Sequence, residues 1–243
     1  CGGQLIKTAL IGYGNWGQII KPKLEKLSKL TGVYRSRDNY FSEINNLDWI
    51  IIATPNHTHY ELVKKCLKKK VNVFCEKPLS LNYKDGLELF KIAKQNQVSL
   101  FVDEIEIFKN LKINFKKKNL ISRRKSGGGK ISEIFYRLTY HDLYLIYSFV
   151  HNKKITDFLL IDKKNSLNFK LFFDEFEFHF QYDLNFNKKI HFINETDFNI
   201  KTDVIEDMFF NLFNNKVSFE LNRSRSLFCL KTIDFLNENC SFN

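Results

Sequence analysis

The chain has 243 residues, 44% of them hydrophobic and 15% aromatic, which is enough for a packed core and for one large domain or two small ones. No run approaches the roughly 18 uninterrupted apolar residues of a membrane span, and no basic segment leads into an apolar stretch at the start, so the sequence reads as a soluble, cytoplasmic protein without a membrane partner. Five scattered cysteines, Cys1, Cys66, Cys75, Cys229 and Cys240, provide neither a disulfide framework nor the C-x-x-C spacing of a zinc site, and no metal is expected. The net charge of +11 raises nucleic-acid binding, but the lysines are spread. The densest run, Lys116 to Lys118 and then Arg123 to Lys125, has no nucleic-acid motif around it. It reads as a solvated basic loop, or as a surface whose field draws in an anionic cofactor or substrate.

Ile6 to Ile11 is a short apolar run ending at Gly12, and the residues after it set Trp16, Ile19, Ile20, Leu24 and Leu27 on one helical face. A strand, a glycine turn and a helix therefore open the chain, with Pro22 inside the helix and expected to kink it. Leu30 to Tyr34 is a second strand, and Trp49 to Ala53 is apolar without alternation, as in a strand buried on both faces. His57 to Lys69 is helical, Val71 to Cys75 a strand, Asn82 to Asn96 a helix and Val98 to Val102 a fifth strand. This alternation specifies a doubly wound parallel sheet. Beyond about residue 105 the apolar period falls to two. Ile155 to Ile161, Leu167 to Phe173, Phe176 to Leu184 and Lys189 to Ile193 read as strands of a mostly antiparallel open sheet. Ile131 to Tyr140 reads as helix or as strand, and two helices, Val204 to Phe213 and Ser224 to Leu236, follow the sheet.

Gly12-Tyr13-Gly14-Asn15-Trp16-Gly17 fits G-x-G-x-x-G. In that pattern the first glycine turns the chain, the second admits a pyrophosphate and the third lets the helix pack closely, with the helix-terminal amides facing the phosphates. Following a strand and opening a helix, the pattern points to a dinucleotide. At the end of the second strand, where an acidic residue would bind a ribose 2′-hydroxyl, stand Arg35, Ser36 and Arg37. Two guanidiniums and a hydroxyl suit a 2′-phosphate, which favours NADP over NAD. The competing reading makes the arginines surface cations and gives the acidic role to Asp38. The expected architecture is thus α/β: a Rossmann domain over residues 4–105 and a smaller α+β domain over 106–243.

Two further segments, Asp48 to His59 (DWIIIATPNHTH) and Cys75-Glu76-Lys77-Pro78-Leu79, complete a pattern that resembles the Gfo/Idh/MocA family, the glucose-fructose oxidoreductases and inositol dehydrogenases. The resemblance implies a nicotinamide-dependent oxidoreductase acting on a sugar, polyol or sugar-nucleotide carbinol or carbonyl. It further implies that Lys77 is the catalytic lysine, that Glu76 and Thr54-Pro55-Asn56 lie against the cofactor, and that subunits pair through the second sheet into a homo-oligomer. The residues agree independently, because Lys77 follows the carboxyl end of a parallel strand, where open α/β sheets bind ligands. A lysine of lowered pKa can also take the carbinol proton while a cofactor takes the hydride. His59, near a helix start, either contacts the cofactor or caps.

The family's second signature, G-G-G followed by D-x-G-x-H, is only partly present. Gly127-Gly128-Gly129 and His141-Asp142 match, but aligning His141 puts Arg137 at the aspartate position, and an arginine is not an acid or base at neutral pH. His141 is expected as a second acid or base, helped by Asp103 or Glu104. Arg137, Asp142, Tyr144 and Glu104 are the candidate substrate contacts, Arg137 suiting a carboxylate or phosphate and Tyr144 reading alternatively as a core tyrosine. The altered signature also supports a second reading, a catalytically weak NAD(P)-binding regulator or assembly partner of the same fold.

Overall fold

A computed structural model describes residues 5–36, 38, 44–124, 130–163, 166–199 and 203–240. Arg37 and the glycines at 127–129 lie outside the described residues. The chain divides into two units, Cys1–Ile105 with Asp203–Leu230, and Glu106–Thr202 with Lys231–Asn243. The first unit thus also takes in residues 203–230, which a single boundary after residue 105 assigns to the second.

In the first unit β1 (Lys7–Ile11), β2 (Lys29–Tyr34), β3 (Trp49–Ile52), β4 (Asn72–Cys75) and β5 (Leu100–Val102) form a sheet in the order β2-β1-β3-β4-β5, and each neighbouring pair is parallel. Every residue of β3 is buried, as expected for a central strand covered on both faces. The helices α1 (Asn15–Leu27), α2 (His59–Lys68) and α3 (Tyr83–Gln95) connect the strands. α1 buries Gly17, Ile20 and Leu24 and has Pro22 within it. Ile19, expected on its apolar face, is 46% exposed, so the buried stripe is narrower than the hydrophobic spacing indicates.

Residues 203–230 contribute α5 (Val204–Phe213) and the first half of α6 (Phe219–Asn239). Phe209 packs against Phe74 with ring centroids 4.9 Å apart, and Trp49 stacks on Phe219 at 6.2 Å. Lys23 and Lys26 of α1 pair with Asp203 and Glu206. Beside β5, the Asn222 side chain accepts from the Val102 N–H at 2.9 Å and donates to the Val102 carbonyl at 2.8 Å. One amide thereby satisfies both main-chain groups that an edge strand leaves unpaired.

The second unit holds a six-stranded mixed sheet in the order β11-β10-β6-β9-β8-β7. Its strands are β6 (Lys118–Arg124), β7 (Ile155–Asp162), β8 (Leu167–Phe173), β9 (Phe176–Asp183), β10 (Ile190–Ile193) and β11 (Thr196–Asp197). All pairs are antiparallel except β6 with β9. Of the expected solvated basic run, Lys116 to Lys118 are exposed, but Arg123 lies on β6, an interior strand, and is only 5% exposed. Alternating burial of Leu167, Phe169, Leu171 and Phe173 sets one face of the sheet inward. Against that face Phe135 meets Phe169 at 5.7 Å and Phe149 meets Phe178 at 6.1 Å. Residues 131–140 are helical: a π-helical turn over Phe135–Thr139 leads directly into α4 (Tyr140–Val150). The strand alternative for this stretch fails because Phe135, Leu138 and Thr139 bury at helical spacing, not in alternation.

Replacing Asn222 with Leu keeps the volume and orphans the Val102 N–H and C=O. Loss of stability on the order of 3 kcal/mol is expected in urea unfolding, and an unchanged midpoint would mean that the edge of β5 is satisfied in another way.

Candidate cofactor and active site

The register of the parallel sheet aligns the strand ends: Ile11 pairs with Tyr34 and Ile52, Ile52 with Cys75, and Cys75 with Val102. One residue further on, the ladder continues. Gly12 N–H donates to the Tyr34 carbonyl at 2.8 Å, Ala53 to Ile11 at 2.8 Å, Glu76 to Ile52 at 2.9 Å and Asp103 to Cys75 at 2.9 Å. The carboxyl edge thus brings Arg35, Gly12, Thr54, Lys77 and Glu104 out of adjacent strands in one row. β1 lies between β2 and β3, so the strand order reverses there, at the place where open α/β sheets take their ligands.

Gly12 has φ +103, and a Cβ there would collide with the Ala53 carbonyl. A Cβ on Gly17 would strike the Gly12 carbonyl, whereas the Cβ position of Gly14 faces open space with no atom within 4 Å. The first and third glycines are therefore required by packing, and the second leaves an opening. Gly14 is the N-cap of α1 and provides no side-chain cap. No acidic residue occupies the first turn, so the partial positive charge of the helix start faces that opening without an internal anion. These features fit a dinucleotide pyrophosphate.

Asn15 is exposed and Trp16 half-buried. The Trp16 indole N–H donates to Glu76, tying the start of α1 to the loop after β4. Burial, followed by repulsion from Asp103, pushes the Glu76 carboxyl well above its ordinary pKa, while the indole and Lys77 pull the other way. Lys77 is half-buried and joined to Pro78 by a cis peptide. In the loop after β3, Thr58 Oγ1 lies 2.7 Å from Thr54 Oγ1; Pro55 is exposed and Asn56 half-buried.

His59 does not present a face to a cofactor. It is fully buried, with Nδ1 2.6 Å from the Pro78 carbonyl and Nε2 2.8 Å from the Thr54 carbonyl. Burial lowers its pKa, the two carbonyls oppose that, and Lys77 and His57 add to the lowering.

Arg35 and Ser36 are exposed just beyond β2. Asp38 accepts from the Arg35 N–H at 2.7 Å, and its own N–H donates to the Arg35 carbonyl at 3.0 Å. Its carboxylate therefore shapes the turn that carries Arg35 and Ser36.

Glu104, a candidate substrate contact, is 6% exposed and held by Arg225 at 3.1 Å and 3.2 Å. Burial raises its pKa, and the Arg225 charge opposes the rise. It anchors α6 within the first unit instead of facing a ligand.

In the second unit two more of these candidates turn inward. Asp142 has no exposed surface; it accepts from Tyr182 Oη and from His191 Nε2, both at 2.7 Å, with Arg123 3.6 Å away. Burial pushes its pKa up, but Arg123, His191 and Tyr182 outweigh that and hold it below the ordinary carboxylate value. Arg123 also meets Glu106 at 2.7 Å, and Lys109 meets Glu106 at 2.6 Å. Two carboxylates against two cations make a buried cluster without excess charge, the condition under which such groups tolerate burial. Sequence reasoning missed this cluster because its members come from β6, α4, β9, β10 and the turn after β5. Its only local signal is the spacing of Glu106 and Lys109.

Tyr144 is 2% exposed. Its hydroxyl accepts from the Glu106 N–H at 3.0 Å and lies 2.8 Å from His141 Nδ1, so it orients His141 from within the core instead of meeting substrate. His141 is half-buried. Arg137 is half-buried and 3.7 Å from Glu133, one turn earlier. Among the described residues no group of His, Cys, Asp or Glu is placed to hold a metal ion, and no helix is long and apolar enough to cross a membrane.

Residues 18–104 match the model of an oxidoreductase family with an NAD-binding Rossmann fold, GFO_IDH_MocA. A 2,7-anhydro-N-acetylneuraminate hydratase of Escherichia coli is 42% identical over 64 residues, 26% of this chain and 17% of that protein. A myo-inositol 2-dehydrogenase of Thermotoga maritima is 45% identical over 56 residues, 23% of this chain and 17% of that protein. The matched segments thus span about a sixth of the length of these relatives. Solved structures resemble much more of the chain. UDP-N-acetylglucosamine 3-dehydrogenase GnnA from Acidithiobacillus ferrooxidans superposes with a TM-score of 0.76 at 14% identity, covering 91% of this chain and 94% of its own. The WlbA (WbpB) dehydrogenase from Thermus thermophilus, solved with NAD and UDP-GlcNAcA, gives 0.74 at 11% identity, covering 93% of each. At these identities the likeness establishes the shared fold.

Burial lowers the pKa of His191 and Arg123 adds to that, against the pull of Asp142. The unfolded chain therefore takes up a proton below about pH 6.5 that the folded chain refuses, and the part of stability due to His191 shrinks as the pH falls. In urea unfolding, the stability difference between the native chain and His191→Gln should be about 1 kcal/mol smaller at pH 5.5 than at pH 7.5. A difference that grows on acidification would mean that the folded state holds His191 charged.

Proposed function

We propose that this chain belongs to the Gfo/Idh/MocA oxidoreductase family, whose model matches residues 18–104, and that it is an NADP-dependent oxidoreductase acting on a sugar, polyol or sugar-nucleotide carbinol or carbonyl. The observation that carries this reading is the row along the carboxyl edge of the first sheet, where the open Gly14 turn and the uncapped start of α1 follow β1 and Lys77 follows β4, with only β3 between them. The preference for NADP rests on Arg35 and Ser36, exposed on a turn that Asp38 shapes through its carboxylate. The substrate class is supported by relatives and structural neighbours named for inositol, for an anhydro-N-acetylneuraminate and for UDP-N-acetylglucosamine. The chain's basic balance favours an anionic member of that class.

A bound nicotinamide would supply hydride exchange with the substrate carbon. The chain's own residues do the rest. The amides at the start of α1 bind the pyrophosphate, Arg35 and Ser36 select the 2′-phosphate, and Lys77 gives or takes the proton of the reacting oxygen through Nζ. His141, backed by Tyr144, is the second acid or base of this reading, and Arg137 is the candidate for an anionic substrate group. Leu159 and Leu120, exposed in one cross-strand row of the second sheet, support self-association through that face.

A second reading, a cofactor-binding protein of weak or no catalytic activity, is favoured by one observation. Arg137 stands where an acid is expected, and the neighbouring carboxylate, Asp142, is buried and committed to Tyr182 and His191.

Lys77→Met should bind reduced nicotinamide nucleotide like the native chain in a fluorescence titration and lose turnover with any sugar or sugar nucleotide that the native chain accepts. Retained turnover would remove Lys77 from the mechanism. Native protein that binds cofactor and transfers hydride to no member of a sugar panel would favour the second reading. Arg35→Ala should weaken NADPH binding on the order of tenfold and leave NADH nearly unchanged; equal losses for both nucleotides would refute the assignment of the 2′-phosphate.

A further inference from the structure

Two loops at the carboxyl edge are joined by one side chain. The loop after β3 contributes the Thr54 carbonyl and the loop after β4 the Pro78 carbonyl, and the ring of His59 lies between them with contacts of 2.8 Å and 2.6 Å. A carbonyl oxygen only accepts, and the neutral ring, which burial favours, carries a single N–H, so the ring donates to one carbonyl at a time and packs its second nitrogen against the other. The side chain itself is fixed at the first residue of α2 and has no exposed surface. Thr54 is further tied to that helix start, its Oγ1 donating to Thr58 Oγ1 at 2.7 Å, while Thr58 Oγ1 donates its own proton to the Pro55 carbonyl at 2.7 Å. On the other side, Pro78 is bonded directly to Lys77, and Ser80 Oγ closes the same loop by donating to the Asn82 carbonyl at 2.7 Å.

We propose that His59 is the positioning residue for Lys77: by bridging the Thr54 and Pro78 carbonyls it fixes the main chain that carries the lysine relative to the loop expected against the cofactor. This inference rests on the reading of Lys77 as the proton donor or acceptor. It gives His59 a role apart from cofactor contact and from helix capping. The physical ground is that proton and hydride transfer tolerate displacements of well under an ångström, while Lys77 stands on a loop between β4 and α3 whose main chain has few ladder bonds to fix it. The parallel sheet ends at Cys75 and the Glu76 N–H. Beyond that point the contacts of His59 return this loop to its neighbour across the sheet.

The test uses His59→Phe, which fills the space without a donor, and His59→Gln, which keeps one donor and reports if the phenylalanine variant does not fold. Amide exchange of the cofactor-free protein should rise in residues 54–58 and 76–80 together, with the β1–α1 turn unchanged. With a substrate that the native chain turns over, His59→Phe should lower kcat at least about tenfold while its affinity for reduced nicotinamide nucleotide changes less than about threefold, and His59→Gln should recover part of the rate. Unchanged exchange at 76–80 would overturn the bridge. An unchanged kcat in folded His59→Phe would reduce the residue to a structural one. Should the native chain bind no nicotinamide nucleotide, the functional reading fails and the positioning role with it, and the exchange measurement alone then judges whether the bridge exists.

Discussion

The close approach of the Gly12 turn to the Ala53 carbonyl is the contact on which the rest of the site depends. No side chain fits between them, and the positive φ of Gly12 sets the direction in which the chain leaves β1. Because that turn is tight, α1 begins immediately with Gly14 as its cap and its first amides directed past the sheet edge. Because Gly17 also lacks a Cβ, α1 can then lie against the turn it has just left. Substituting a larger residue at either packed glycine would move the helix start away from the strands that carry Thr54, Glu76 and Lys77.

Around this constraint the first unit is cross-linked by polar contacts between loops instead of by further strands. Trp16 reaches Glu76, His59 reaches Thr54 and Pro78, and Asn222 completes the edge of β5. Apart from His59 to Thr54, these contacts link segments that are distant in sequence, and they satisfy buried polar groups that would otherwise be costly to bury. The site's loops are consequently held from behind, leaving the glycine turn and Lys77 at the open edge.

The second unit solves a different problem. Arg123, Lys109, Glu106 and Asp142 are charged residues inside a phenylalanine-rich fold, and they persist there because every charge has an opposite within 4 Å. Truncating one member would leave another uncompensated in a low-dielectric interior, which costs far more than the pair contributes. The chemistry of the cluster is therefore structural: it joins β6 to α4 and, through Tyr182 and His191, to β9 and β10. His141 and Tyr144 lie on the same helix as Asp142, and the Glu106 amide that anchors the cluster's chain also donates to Tyr144.

Local patterns determined the first sheet. Apolar runs of strand length, helical spacing between them and glycines at fixed offsets depend on neighbours a few residues apart, so β1 to β5, α1 to α3 and the glycine turn were legible in the amino-acid order. Four strands of the second sheet were legible for the same reason, since period-two alternation survives in β8 and β9. Tertiary structure decided whatever depends on a partner far along the chain. Arg123 reads as a solvated cation until Glu106 and Asp142 enclose it. Glu104 and Asp142 read as ligand contacts until Arg225 and His191 claim them, and Tyr144 and His59 stay open between ligand contact and core or capping roles until the Glu106 amide and the Pro78 carbonyl decide. Residues 203–230 read as part of the second domain until Phe209 finds Phe74. A charge or an imidazole carries the same local signal whether it faces water, a ligand or a buried partner, and only the fold supplies the dielectric and the counter-group that distinguish these cases.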